Sequence, residues 1–134
     1  MAKDAAVSGA GDAVQAAVVV ALAAALPDLA VFDGPPVRAA PPFAVVEEPV
    51  ATDWRAAALD GRELRLAVTI VDAGERPVRL RALMSAAEAA VAGLSGAVGG
   101  WRVASVTLVR SRAVRAGERW RGSTEWRVRV ARPA

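Results

Sequence analysis

Arg62-Glu63-Leu64-Arg65-Leu66-Ala67-Val68-Thr69-Ile70-Val71-Asp72 alternates along its whole length. Leu64, Leu66, Val68 and Ile70 fall on one side, and Arg65, Ala67, Thr69 and Val71 on the other. A side-chain period of two is that of a strand with one face turned to a core. Toward the N-terminus, Phe43 to Glu48 forms a compact apolar strand introduced by Pro41-Pro42. Leu29 to Phe32 forms a shorter one, ended by the turn residues Asp33-Gly34-Pro35-Pro36. From Pro49 to Gly61 periodicity disappears. That stretch reads as an extended loop carrying Asp53, Trp54 and Asp60, and loops of this length in small domains are usually functional or mobile.

Toward the C-terminus, Asp72-Ala73-Gly74 breaks the strand. A helix is expected from about Arg76 to Leu94, with Pro77 in its first turn and a buried stripe of Leu80, Leu83, Met84, Ala87, Val91 and Leu94. Gly96, Gly99 and Gly100 end it. Trp101 to Ala113 and Arg119 to Val130 complete the chain as two strands joined near Ala116-Gly117. An earlier helix, capped by Asp12 and running to about Leu26, repeats Val14, Val18, Leu22 and Leu26 on one face. The order α-β-β-β-α-β-β predicts an α+β fold: a mainly antiparallel sheet of four to five strands with two helices packed on one face. Residues 1–10 read as a flexible N-terminus and 11–134 as a single domain, the size that 134 residues allow.

The residue inventory excludes much chemistry. With no cysteine there are neither disulfides nor thiolate metal sites, and with no histidine the commonest general base and metal ligand are missing. Glu47 and Glu48 are adjacent on a strand end and point to opposite faces, so they do not converge on a metal. Asp53 and Asp60 have no histidine, cysteine or tyrosine to work with. Ser8-Gly9-Ala10-Gly11 lacks the preceding strand and the Lys-Ser/Thr of a phosphate loop. Ala13 to Leu26, at 14 residues, falls short of the roughly 20 that span a bilayer and reads as an alanine-rich core helix. No catalytic residue, cofactor or metal is expected.

Charge is divided along the chain. Residues 1–60 hold three bases against eight acids, a net of −5, and residues 61–134 hold fourteen arginines against six acids, a net of +8. In the last strand Trp120, Trp126, Val128 and Val130 share one face and Arg119, Arg121, Arg127 and Arg129 the other. Together with Arg110, Arg112 and Arg115 these arginines admit three readings. They neutralise phosphates beside Trp101 or Trp120, they form a solvated face that resists edge aggregation, or they form a subunit interface. Alternation sets Trp120 and Trp126 opposite the arginines, which weighs against bases stacking in a basic groove.

Taken together, Val31-Phe32-Asp33-Gly34, Pro42-Phe43-Ala44-Val45-Val46-Glu47-Glu48, Asp53-Trp54 and Asp60-Gly61-Arg62-Glu63, followed by a helix and two strands, resemble the phage tail completion (tail terminator) proteins, including those of gene transfer agents. The first turn, Asp-Gly-Pro-Pro, and the alanine-rich second helix depart from that pattern. The resemblance implies a non-enzymatic virion protein at the head-proximal end of a tail, assembled in the bacterial cytoplasm. Such relatives form a ring, typically of six copies, that ends polymerisation of the tail tube and joins it to the head connector. It implies the chain itself, the tail tube protein and the connector as partners, with passing DNA in the bore and no membrane. Asp53, Trp54, Asp60, Arg62 and Glu63 on one side and Arg110, Arg112, Arg119 and Arg121 on the other are the candidate interface. The alternatives are a nucleic-acid-binding module using the arginine-rich face, and a small enzyme or ligand-binding domain with its pocket under the 49–61 loop.

Overall fold

A computed structural model describes residues 9–133. The chain runs α1 (Ala10–Ala25), β1 (Ala30–Phe32), β2 (Phe43–Val46), β3 (Val50–Asp53), β4 (Leu59–Ala73), α2 (Val78–Ala92), β5 (Ala97–Val98), β6 (Trp101–Ala116) and β7 (Arg119–Pro133). The class is the expected α+β, but the sheet has seven strands rather than four to five, in the order β1-β2-β4-β7-β6-β5 with β3 also on β4. The two additional strands come from segments without alternation. β5 is a two-residue strand whose return to β6 turns on Gly99 and Gly100, both at positive φ, as a tight hairpin requires.

The other addition is β3. Residues 49–61 are not one extended loop: Val50–Asp53 pairs with Arg62–Arg65 of β4, which itself begins at Leu59. β2 and β3 lie end to end along one edge of β4, and Glu47 N–H bonds the Ala67 carbonyl between them. All four β3 residues are exposed, which is why no buried period marks them in the sequence.

One buried cluster joins both helices to one sheet face. It contains Val14, Val18 and Leu22 of α1, Leu80, Met84, Ala87 and Val91 of α2, and Leu64, Leu66, Val68, Ile70, Trp126, Val128 and Val130 of the sheet. α1 starts at Ala10, so Asp12 lies inside its first turn and does not cap it; Gly9 stands at the cap without a side-chain bond. A missing cap costs about 1 kcal/mol, whereas burying Val14, Val18 and Leu22 contributes about 1.5–3 kcal/mol each, so packing decides where this helix begins. Of the segment 1–10 expected to be flexible, residues 1–8 lie outside the described residues, and Ala10 is already buried in α1.

Two polar contacts fix the layers. Gln15, buried on α1, donates from Nε2 to the carbonyls of Asp33 (2.9 Å) and Val46 (3.0 Å), tying the helix to the ends of the parallel pair β1–β2. Asp72, buried at the end of β4, accepts two hydrogen bonds from the Arg79 guanidinium in the first turn of α2, and one from the Ala73 amide. No helix among the described residues is long and apolar enough to cross a membrane.

Gln15→Leu should lower the unfolding free energy by about 1–3 kcal/mol in denaturant titration, because it removes the donor to the buried Val46 carbonyl and to the partly buried Asp33 carbonyl without changing the bulk of the side chain greatly. Gly61→Ala should cost about 3 kcal/mol, since a Cβ there would meet the Trp54 carbonyl oxygen of the β3–β4 hairpin at 1.7 Å. Gly34→Ala, with nothing within 4 Å of the added carbon, serves as the control and should change little.

Candidate interaction surface

β4, β7 and β6 build the face of the sheet away from the helices. β4 and β7 pair without interruption from Leu59↔Pro133 to Ala73↔Arg119. Directly paired residues share a face, so Glu63, Arg65, Thr69 and Val71 stand beside Arg129, Arg127, Ser123 and Arg121 on this open side. β6 reaches the same face after two bulges, at Val103/Ser105 and Leu108/Arg110. Arg110 opposes Glu125 and Arg112 opposes Ser123, so both join the open face as expected. Arg115 does not. It opposes Trp120 on the helix side, lies over that ring at 5.5 Å, and donates to the carbonyls of Gly74, Glu75 and Gly117. The alternation 110, 112, 114 excludes residue 115 from the open face.

The nine residues expected at an interface divide into three groups. Asp53, Asp60 and Arg62 lie on the helix side of the β3–β4 hairpin. There Asp60 binds Arg62 (2.5 Å) and Arg132 (3.2 Å), and Asp53 reaches Arg62 at 3.4 Å. Trp101, 1% exposed, sits beneath this knot with the Arg132 guanidinium 4.1 Å and the Arg62 guanidinium 5.5 Å from its ring centre. Its burial leaves it no surface on which a base could stack. Trp54 and Glu63 lie on the opposite, open side, where Arg129 covers the indole at 5.2 Å and is held by Glu63 at 2.9 Å. The hairpin therefore separates Trp54 from Asp60 by the thickness of the sheet, although they are close in sequence.

The remaining four arginines occupy the other end of the open face. Arg110 is paired with Glu125 at 2.5 Å. Arg112, Arg119 and Arg121 are exposed and make no ion pair among the described residues. Arg119 and Arg121 also line a cleft of about 460 Å³, which sequence reasoning missed. Its floor is the apolar cluster Phe43, Val45 and Val71, and its far wall is the segment Pro35 to Ala39. A signal was available: every residue of β2 from Phe43 to Val46 is apolar, which a strand covered on one side only does not need. Glu47 at the cleft margin accepts from the Thr69 hydroxyl at 2.6 Å. No group of three or more metal-ligating side chains occurs among the described residues.

A family model described as "Tail completion protein gp17" matches residues 6–131. The chain belongs to the tail completion protein family. Among solved structures, a chain from the virion of a native gene transfer agent particle superposes with a TM-score of 0.78 at 21% identity, covering 92% of this chain and 98% of that one. At that identity the likeness speaks for the fold. No curated protein matches the chain.

Two carboxylates in these contacts titrate low. Hydrogen bonding from Arg62, aided by Arg132, holds Asp60 below the usual carboxylate range against the opposing effect of burial. The Arg79 guanidinium does the same for Asp72. A depressed folded-state pKa contributes stability that is fully present above the unfolded value, about 4, and is lost as pH falls through the folded value. Asp72→Asn should thus be less stable than the wild type near neutral pH, and the difference should shrink as pH falls below about 4 through the lowered folded-state value, in acid titrations followed by fluorescence. A difference that persists unchanged into acid would contradict this assignment.

Proposed function

We propose that this tail completion family member is a structural tail protein that closes the tail tube as a ring of six copies at its head-proximal end, within the virion. The ring stops addition of tail tube protein and presents the surface on which the head connector docks; it assembles in the bacterial cytoplasm. The carrying observation is the placement of two unlike patches at opposite ends of one rigid sheet. Trp54 and Glu63 stand at one end of the open face, and Arg112, Arg119 and Arg121, without an ion pair among the described residues, at the other. Glu63 and Arg121 pair with Arg129 and Val71, eight β4 positions apart, or roughly 26 Å at the rise of a strand. Unlike patches on one rigid body generate head-to-tail contacts, and such contacts close into rings when the rotation permits. Nothing in the side-chain inventory supplies a catalytic constellation, so the reading is one of assembly.

These exposed arginines also favour a second reading, in which they face DNA in the bore or act as a nucleic-acid module. Duplex binding would then weaken steeply with salt, and replacing Arg112, Arg119 and Arg121 with alanine would flatten that dependence.

The test is polymerisation of tail tube protein with and without this chain. Expected are short tubes of uniform length with the chain at one end and a multimer of the 13.8 kDa chain in solution or on the tube. Unchanged tube growth with a chain that stays monomeric would overturn the proposal. Trp54→Ala, which empties the space under Arg129 at the hairpin end, should lengthen the tubes again while leaving the far patch intact.

A further inference from the structure

The cleft between Pro35–Ala39 and β7 joins an apolar floor to three exposed cations, Arg38, Arg119 and Arg121, none with an ion pair among the described residues. Its one acid, Glu47, is engaged by Thr69. Such a site takes an extended chain segment that offers an apolar side chain beside a carboxylate. This protein displays one. Residues 39–54 contain Glu47, Glu48 and Asp53 and no base, and within them Val50 is 64% exposed. Val50 stands on β3, whose outer edge has no strand partner among the described residues, so its backbone groups also remain available for bonding.

The two most exposed apolar side chains on the helices fit less well. Val78 is surrounded by Arg76, Arg79 and Arg81, which the cleft would repel. Val20 lies on α1, whose only acid is Asp12, eight residues earlier.

A chain cannot fill its own cleft with this segment. Val50 pairs with Arg65 and Arg121 with Val71, six β4 positions apart, so the two sites are held roughly 20 Å from each other by the ladder. We propose that the cleft seats the Glu48–Asp53 edge segment of a second copy of the chain. Val50 covers Phe43, Val45 and Val71, while Glu48, two residues earlier and so on the same side of the extended segment, meets Arg119, Arg121 and Arg38. This rests on the ring reading and specifies which two patches meet in it.

A charge exchange tests it. Arg119→Glu with Arg121→Glu places carboxylates at the cleft, and Glu48→Arg with Val50→Lys makes the edge segment cationic; all four positions are exposed. Each variant alone should self-associate at least about tenfold more weakly than the wild type in sedimentation velocity, because like charges then face each other. Mixed in equal amounts, the two should reassemble to the wild-type mass, because each then offers its partner an opposite charge. Reassembly also shows that both variants are folded. If the wild type assembles and the variants assemble equally well, or fail to recover on mixing, the cleft is not the site of contact although the ring stands. If the wild type stays monomeric both alone and with tail tubes, the ring reading itself falls, and this proposal with it.

Discussion

The β4–β7 ladder is the constraint on which the rest of the molecule depends. Fifteen consecutive pairs without a bulge fix the register of the two longest buried strands. Because the side-chain period is two, a slip by one residue would carry Leu64, Leu66, Trp126 and Val128 out of the core and bring in Arg65, Arg127 and Arg129. The apolar face is so continuous that no such slip is tolerable. Both helices then have only one surface to cover, and the arginines have only one place to go. The basic face is a consequence of the same register that builds the core.

Strain and irregularity are confined to the margins of that ladder. β6 absorbs two bulges, and through them Arg110 and Arg112 come round to the open face while Arg115 is turned to Trp120. The β3–β4 hairpin is closed by Trp54 over Gly61, a position without room for a side chain. Ion pairs gather at two margins, around Asp60 in the β3–β4 hairpin and around Asp72 beside the first turn of α2. Exposed pairs such as Arg110–Glu125 contribute little to stability and define local geometry, whereas the buried Asp72 carboxylate ties α2 to the end of β4.

Wherever burial left a period, the sequence was readable. Both helices, β4, β6 and β7 fall close to where alternation or the 3.6-residue stripe puts them, β2 falls where its apolar run does, and Leu80, Met84, Ala87 and Val91 are buried as their spacing requires. β3 and β5 were illegible because exposed or two-residue strands carry no such period. The surface was legible in its chemistry and not in its grouping. Asp53, Trp54 and Asp60 are near neighbours in sequence, yet the hairpin sends Trp54 to one face and Asp60 to the other. The cleft depended on a segment, Pro35 to Ala39, folding back over the second face of β2, and only the unbroken apolar run of Phe43 to Val46 hinted at that covering.

The open face is thus the part of the molecule left unaccounted for by folding: basic, rigid, grooved, and opposite the side where the core is made. The central claim is that in an assembled tail this face is occupied by a neighbouring copy. Electron cryo-microscopy of isolated tails, reconstructed at the end that meets the head, tests it most directly. The account predicts a closed ring in which the β7 arginines of each copy lie against the 48–53 edge of the next. Density showing those arginines turned to solvent or to DNA, with the subunits joined elsewhere, would contradict it.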